Sequence, residues 1–192
     1  MTSELHLLGK YDLVQFLFLS TKFSKKKNRK NKINLVPRHL GAIVSGLRKF
    51  PTSSWAGKDI TFIINSMQVV QSSDTGVNEF LSLLTIIVRD SLRNVNKSDV
   101  FSQQNLTMVI YGLRGMRSSS AELRAFLNVL TPQIKLCTEN FNPQAVGNTL
   151  YGMQGMSCDY VEVRAMLLAL VPKVESCRDL LDRQAIGNAL YG

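Results

Sequence analysis

The sequence contains few of the residues that build catalytic or metal sites. Only two histidines, His6 and His39, and three cysteines occur among its 192 residues. The histidines lie far apart in the chain without the spacing of metal ligands, and no Cys–His pair can be placed. We therefore predict a protein that is not an enzyme and that carries no cofactor and no metal.

The cysteines do not indicate a disulfide-stabilised domain either. Cys137 and Cys177 occupy the same point in two successive copies of an internal repeat. Packed helices of adjacent repeats would hold them about 10 Å apart, whereas a disulfide needs Cα atoms within about 7 Å. We expect reduced thiols in a reducing compartment.

Long apolar runs are also absent. The stretch Leu13–Leu19 is far shorter than the about 20 residues of a transmembrane helix. A secretory signal has its basic residues before the apolar run, and here they mostly follow it. We predict no membrane association, and the acidic residues Glu4 and Asp12 fit an organellar transit peptide poorly.

Positive charge is concentrated in one segment. The formal net charge is +9, but Lys22–Lys32 holds seven Lys and Arg residues and no acid. The rest of the chain therefore has 16 basic and 14 acidic residues, a net charge of +2. Such a run is a solvated, mobile segment, a phosphate-contacting tail or a nuclear localisation sequence, and the sequence leaves these alternatives open.

An internal repeat organises the second half of the chain. When the segment 104–143 is aligned with 144–183, 12 of the aligned pairs are identical and no gap is needed. The identical residues of the first copy are Gln104, Tyr111, Gly112, Gly115, Met116, Glu122, Arg124, Ala125, Leu127, Leu130, Pro132 and Cys137.

Older or incomplete copies flank these two. We predict a basic, poorly ordered segment at 1–36, a capping helix and loop at 37–57, a degenerate repeat at 58–103, repeats at 104–143 and 144–183, and a truncated repeat at 184–192. The last unit stops after its first helix. We expect a continuation of the chain or a partner to cover the apolar face that this leaves.

Each copy contains two helical patterns. In the first, helix A, Val146, Leu150 and Met153 recur at the spacing of one helix face. Asn142 is its expected N-cap, and Asp159 is the expected N-cap of helix B. Such helix pairs cannot bury their apolar faces alone. We therefore predict an all-α fold, an α-solenoid of stacked two-helix repeats with a period of 40 residues.

Glycine and tyrosine recur in helix A although glycine is a poor helix former. Gly152 has a small residue at its position in every copy, and a helical Gly costs about 1 kcal/mol relative to Ala. We interpret it as allowing close packing of neighbouring A helices rather than as room for a ligand. Tyr151 is expected to fill the groove against the next repeat and to send its hydroxyl to a polar neighbour. An aromatic platform for bases is the disfavoured alternative, because Asn65 and Ser45 interrupt it.

A polar stripe on the A helices is the candidate binding surface. Amides hydrogen-bond base edges, and Arg or Lys hold phosphates, as in readers of single-stranded RNA. An ordinary solvated face is an equally good interpretation. The stripe comprises Arg38, Arg48, Lys58, Phe62, Gln68, Gln104, Met108, Arg114, Gln144, Asn148, Gln154, Gln184 and Asn188, and the basic run adds Lys25, Lys26, Lys27, Arg29 and Lys30.

The segment Phe141–Met156 resembles the first half of an octotricopeptide repeat. Phe141, Pro143, Gln144, Asn148 and Leu150 match that pattern, while Tyr151 replaces its Trp, and Gly147 and Gly152 replace Ala. The resemblance implies an α-solenoid that binds single-stranded RNA in a plastid or mitochondrion, with cytoplasm or nucleus as alternatives. A protein–protein interaction scaffold of the same fold is the competing function.

Overall fold

A computed structural model describes residues 5–25, 35–55, 57–94 and 101–191 of the chain. Throughout these residues the structure consists of helices and turns without a strand, which confirms the predicted all-α class. The helices are α1 (Lys10–Lys25), α2 (Leu35–Arg38), α3 (Leu40–Leu47), α4 (Gly57–Asn65), α5 (Val77–Asn94), α6 (Gln103–Gly112), α7 (Ala121–Leu136), α8 (Pro143–Gly152), α9 (Val161–Glu175) and α10 (Arg183–Tyr191).

The helices from α4 onward pack in two series. Helices α4, α6, α8 and α10 each contact the next member of one series, which we call row A. Helices α5, α7 and α9 do the same in a second series, row B. Apolar side chains of both rows form one core cluster, so each row covers the apolar face of the other.

Row B helices have the amphipathic pattern that this arrangement requires. In α7 the buried residues recur at intervals of three and four, which places them along one side of the helix. They are Leu123, Phe126, Leu127, Leu130, Thr131 and Ile134. Burial of this face against row A is the main stabilisation available to a helix of this kind.

Row A helices approach one another at their glycines. A Cβ atom at Gly112 of α6 would lie 2.7 Å from the carbonyl oxygen of Ile64 in α4. At Gly147 of α8 it would lie 2.7 Å from the Cα atom of Ala185 in α10, and at Gly152 it would collide with the Ile110 carbonyl of α6. The interpretation of Gly152, with its equivalent Gly112, as a packing position is therefore confirmed, and the close contact at Gly147 is an addition to it.

Helix α1 differs from the expectation of a poorly ordered segment at 1–36, because it is packed against the core. Leu13 and Leu17, one turn apart, are fully buried, and α1 packs on α4. Lys10 anchors its start, because its Nζ lies 3.3 Å from Oδ2 of the buried Asp59 and 4.8 Å from the Trp55 ring centroid. The apolar residues of the Leu13–Leu19 stretch are the physical reason for this order.

The two predicted helix caps have different outcomes. Asn142 is the N-cap of α8, and its Oδ1 accepts a hydrogen bond of 2.8 Å from the Ala145 backbone N–H. The prediction for Asp159 is wrong. Tyr160 is the N-cap of α9, without a side-chain cap hydrogen bond, and Asp159 instead accepts from the Ser157 hydroxyl in the preceding turn.

Candidate functional site

The helices of row A start in the same register. Ser102, Asn142 and Asp182 follow one another at intervals of 40 residues, and each accepts a hydrogen bond from the backbone N–H three residues later. These caps fix the first turns of α6, α8 and α10 at the same interval along the chain. The residues that follow each cap are therefore presented side by side on adjacent helices.

Two grooves run between these first turns. The groove between α6 and α8 has a volume of about 300 Å³ and is lined by Gln103, Gln104, Thr107, Met108, Asn142, Gln144, Ala145 and Asn148. The groove between α8 and α10 has a volume of about 170 Å³ and is lined by Gln144, Asn148, Asp182, Gln184, Ala185 and Asn188. We call them the amide grooves.

Six residues of the predicted stripe meet in the amide grooves. Gln104, Gln144 and Gln184 are exposed, while Met108, Asn148 and Asn188 are half-buried one turn further along. The Asn188 amide nitrogen donates to Asn148 Oδ1 over 3.1 Å, which joins α8 to α10. Each amide carries both donors and an acceptor, so the grooves present the groups that can pair with the edges of nucleobases.

A tyrosine ladder follows the amides along the same helices. The ring centroids of Tyr111 and Tyr151 are 5.8 Å apart in a stacked arrangement, and those of Tyr151 and Tyr191 are 5.6 Å apart. Tyr111 and Tyr151 are half-buried rather than enclosed. No hydrogen bond of the Tyr151 hydroxyl is found among the described residues, in contrast to the expectation. Ring stacking between helices therefore takes the place of the expected polar contact.

Arg114 stacks on Tyr111, the first ring of the tyrosine ladder. Its guanidinium carbon lies 4.5 Å from the Tyr111 ring centroid, and Nη1 donates to Gln68 Oε1 over 3.2 Å. Gln154 Nε2 donates to the Arg114 carbonyl over 2.8 Å. Burial lowers the pKa of Arg114, with Tyr111 and Tyr151 opposing that effect. Gln68, Arg114 and Gln154, all predicted members of the stripe, thus link the turns that follow α4, α6 and α8.

Gln68 requires a correction, because it was expected on an exposed stripe. The residue is 4% exposed, and its amide also donates to Asn65 Oδ1 over 3.2 Å. The cause is the 3-10 turn Ser66–Val69 that follows α4. This turn departs from the α-helical wheel on which the exposed position was assigned, and it rotates Gln68 toward the next unit.

The remaining described residues of the stripe lie away from the amide grooves. Lys58 and Phe62 line a cavity between α1 and α4 of about 450 Å³, where Phe62 meets Phe18 edge to face at 5.1 Å. Arg48 forms an ion pair of 2.8 Å with Glu79 of row B. Arg38 is exposed at the end of α2.

The basic run is largely beyond what the structure covers. Lys25 is the last residue of α1, whereas Lys26, Lys27, Arg29 and Lys30 lie outside the described residues. Their predicted contact with RNA stays a prediction.

Sequence reasoning missed several residues that line the row A surface. Arg117 and Tyr191 share a cavity with Arg114 and Gln154, and Asn142 and Asp182 line the amide grooves. The regular spacing of the caps along the chain was a usable signal for the latter pair. No sequence signal was available for Arg117, because its equivalent one copy later is Ser157.

The described residues hold no group of three or more His, Cys, Asp and Glu side chains that could bind a metal ion. Cys137, Cys158 and Cys177 are free thiols. None of the described helices is both long enough and apolar enough to cross a membrane.

No family model matches the chain, and no curated protein or solved structure is significantly similar to it. The amide grooves and the tyrosine ladder of row A are therefore the features that indicate a function.

Proposed function

We propose that the chain is an α-solenoid of stacked two-helix units, similar to octotricopeptide repeats. Its period would be 40 residues, which is the separation of the bonded pairs Gln154–Arg114 and Asn188–Asn148. Tyr151 stacks on Tyr111 at the same separation. The series of contacts within row A and within row B is the packing that such a solenoid requires.

We further propose that the protein is a non-catalytic RNA-binding protein that holds single-stranded RNA along row A. The observation that carries this proposal is the pair of amide grooves on adjacent helices. Unpaired bases expose donor and acceptor edges to such side chains, and Gln144 and Asn148 line both grooves. By resemblance, the setting is RNA metabolism or translation in a plastid or mitochondrion.

A binding titration with matched variants tests this function. Fluorescence anisotropy with labelled single-stranded RNA would compare the full chain with Gln144→Ala/Asn148→Ala. We expect about thirtyfold weaker binding, since two net hydrogen bonds are worth roughly 1 kcal/mol each. Asn128→Ala/Gln133→Ala on α7 removes two amides from row B and should leave the affinity unchanged.

Two results would contradict RNA binding on this face. One is the absence of detectable binding of the unaltered chain at low salt. The other is equal weakening by the row A and row B double variants, because that would separate the amide grooves from the affinity.

A protein-binding scaffold of the same architecture is the second candidate. The net charge of +2 outside Lys22–Lys32 favours it over a nucleic-acid protein, as do Leu168 and Leu190, which are 71% and 84% exposed. Pull-down followed by nuclease treatment distinguishes the two functions. Partners that persist after the nuclease favour the scaffold, and partners that are lost favour RNA.

A further inference from the structure

A separate cavity opens at the other end of the row A helices from the amide grooves. It has a volume of about 250 Å³ and includes Gln71, Arg114, Arg117, Gln154 and Tyr191 in its wall. Arg114 belongs to the 3-10 turn Leu113–Gly115 after α6. Gln154 follows α8, and Tyr191 ends α10. We call this the arginine cavity.

The arginine cavity carries uncompensated positive charge. Two guanidinium groups line it, and none of the described residues in its wall is an aspartate or glutamate. Three other arginines of the described residues do pair with a carboxylate, namely Arg48 with Glu79 at 2.8 Å, Arg93 with Asp90 at 3.6 Å and Arg124 with Glu162 at 3.9 Å. Neither Arg114 nor Arg117 has such a partner among the described residues. An anion is the ligand that this imbalance favours.

The Arg114 side chain is held in a position from which it can bind an anion. It is half-buried and held in place by Tyr111 on one side and by Gln68 through Nη1. A guanidinium has five N–H donors, and the hydrogen bonds that the Arg114 side chain donates to described residues come from Nη1 alone. Partial burial also lowers its pKa, so a bound anion would relieve a desolvated charge. A guanidinium fixed by stacking can bind phosphate with two parallel hydrogen bonds.

The fold itself does not require the two arginines. The aligned residues in the flanking copies are Gln68 and Gln154 for Arg114, and Gln71 and Ser157 for Arg117. All four are uncharged, and the turn after each helix keeps the same backbone hydrogen bond, which the N–H groups of Val70, Met116 and Met156 donate to the carbonyl oxygen three residues earlier. The packing of the two flanking units thus does not need a positive charge at these positions.

We propose that the arginine cavity binds a phosphoryl group, namely a backbone phosphate of the RNA that lies along row A. This inference rests on the proposed RNA-binding function and adds the phosphate subsite to it. Arg114 is the half-buried anchor and Arg117 the exposed second donor. Asn148 lies four residues before Gly152, the end of α8, which is roughly 6 Å along the helix axis. Gln154 follows in the next turn, so one strand can have bases at the amide grooves and a phosphate here.

The salt dependence of RNA binding tests the phosphate subsite. The affinity of Arg114→Gln/Arg117→Gln for labelled single-stranded RNA would be measured over a series of salt concentrations. Loss of two phosphate contacts should reduce the slope of log affinity against log salt by about 1.4, since each contact on a single strand contributes about 0.7. Arg89→Gln, an exposed arginine on α5 of row B, is the control and should leave the slope unchanged.

A second measurement uses inorganic pyrophosphate in place of RNA. Millimolar pyrophosphate should raise the Tm of the full chain by about 2 °C or more relative to sodium chloride of equal ionic strength. The double variant should lack this shift. If the double variant does not fold, Arg117→Gln alone, at an exposed side chain, should still reduce the RNA slope by about 0.7.

The outcomes separate the subsite from the proposed function. If RNA binds and the slopes of the double variant and Arg89→Gln agree, the phosphate subsite is wrong and RNA binding stands. If RNA does not bind at all, the proposed RNA-binding function is wrong. The Tm shift with pyrophosphate then decides whether the arginine cavity binds a phosphoryl group. An equal Tm shift in the full chain and the double variant then overturns the cavity as a phosphoryl site.

Discussion

Gly152 and Gly187 are both helical glycines in row A, but their surroundings differ. A Cβ atom at Gly152 would collide with the backbone carbonyl of Ile110 in α6, whereas nothing lies within 4 Å of a Cβ atom at Gly187. Neither residue has a positive φ, so the two positions differ in contact and not in backbone conformation. They form a matched pair for measuring how much close helix packing contributes.

We expect Gly152→Ala to lower the free energy of unfolding by about 1–3 kcal/mol, because α6 and α8 must move apart. Gly187→Ala should raise it by up to about 1 kcal/mol, since alanine is the better helix former and meets no obstacle. Urea denaturation of both variants provides the measurement. A stabilising Gly152→Ala would show that α6 and α8 do not approach as closely as described.

Tyr151 lies between two other tyrosine rings and provides the second prediction at this scale. Tyr151→Ala should lower the free energy of unfolding by about 1–3 kcal/mol, because each aromatic contact contributes roughly 0.5–1.5 kcal/mol. Tyr151→Phe should change it by less than about 0.5 kcal/mol, since no described residue bonds the hydroxyl. A large loss in the phenylalanine variant would reveal a hydrogen bond of that hydroxyl.

The role of a single residue was predicted well where local chemistry determines it. It was predicted poorly where residues from other parts of the chain determine its exposure. The packing role of Gly152 follows from the recurrence of a small residue at its position despite the cost of glycine in a helix, so the sequence sufficed there. The burial of Gln68 and the half-exposure of Tyr151 depend on turns and rings contributed by other units. A helical wheel of one segment contains no information about those contacts.

At the scale of the element, capping determines where the helices begin. Asn142, with Pro143 directly after it, starts α8 as the sequence predicts. Asp159 does not cap α9, although an acid followed by Glu162 imitates the usual signal. Helix α9 starts one residue later, after Tyr160, so the acidic side chain remains in the turn.

The difference between these two residues is measurable. Asn142→Ala should lower the free energy of unfolding by about 1 kcal/mol, because the Ala145 N–H loses its partner. Asp159→Ala should change it by less than about 0.5 kcal/mol, since it removes an exposed turn contact. Comparable losses in both variants in denaturant melts would contradict the assignment of the α9 N-cap.

Helix α1 shows how an element can be misjudged from composition. Its sequence leads directly into the basic run, which suggested a poorly ordered segment from 1 to 36. Leu13 and Leu17 nevertheless pack against the core, and Lys10 reaches the buried Asp59. Lys10 and Asp59 are distant in the chain, so only the tertiary structure reveals their contact.

At the scale of the whole molecule, most of the excess positive charge lies in one segment of the chain and not in the helices of rows A and B. Seven of the 23 basic residues belong to Lys22–Lys32, and the remainder of the chain is nearly neutral. If RNA lies along row A, base contacts at the amide grooves and phosphate contacts of the basic run contribute to affinity in different ways. Only the phosphate contacts depend strongly on salt.

This separation gives a prediction for the full chain. Replacing Lys26, Lys27, Arg29 and Lys30 by glutamine should reduce the slope of log affinity against log salt by up to about 0.7 for each lost contact. Binding should persist at low salt, because the amide grooves are intact. An unchanged slope in the RNA titration would show that the basic run does not touch the RNA.

The sequence by itself determined the helical class, the α8 cap and the packing role of Gly152. These depend on local chemistry and periodicity, which a sequence contains. The tertiary structure decided which side chains of the stripe share a groove. Gln144 and Asn148 share one groove with Gln104 and a second groove with Gln184 and Asn188. Gln68 is buried, Phe62 packs against α1, and Arg114 lies beside Arg117. The physical reason is that exposure depends on which helix packs alongside, and those neighbouring helices come from distant parts of the chain.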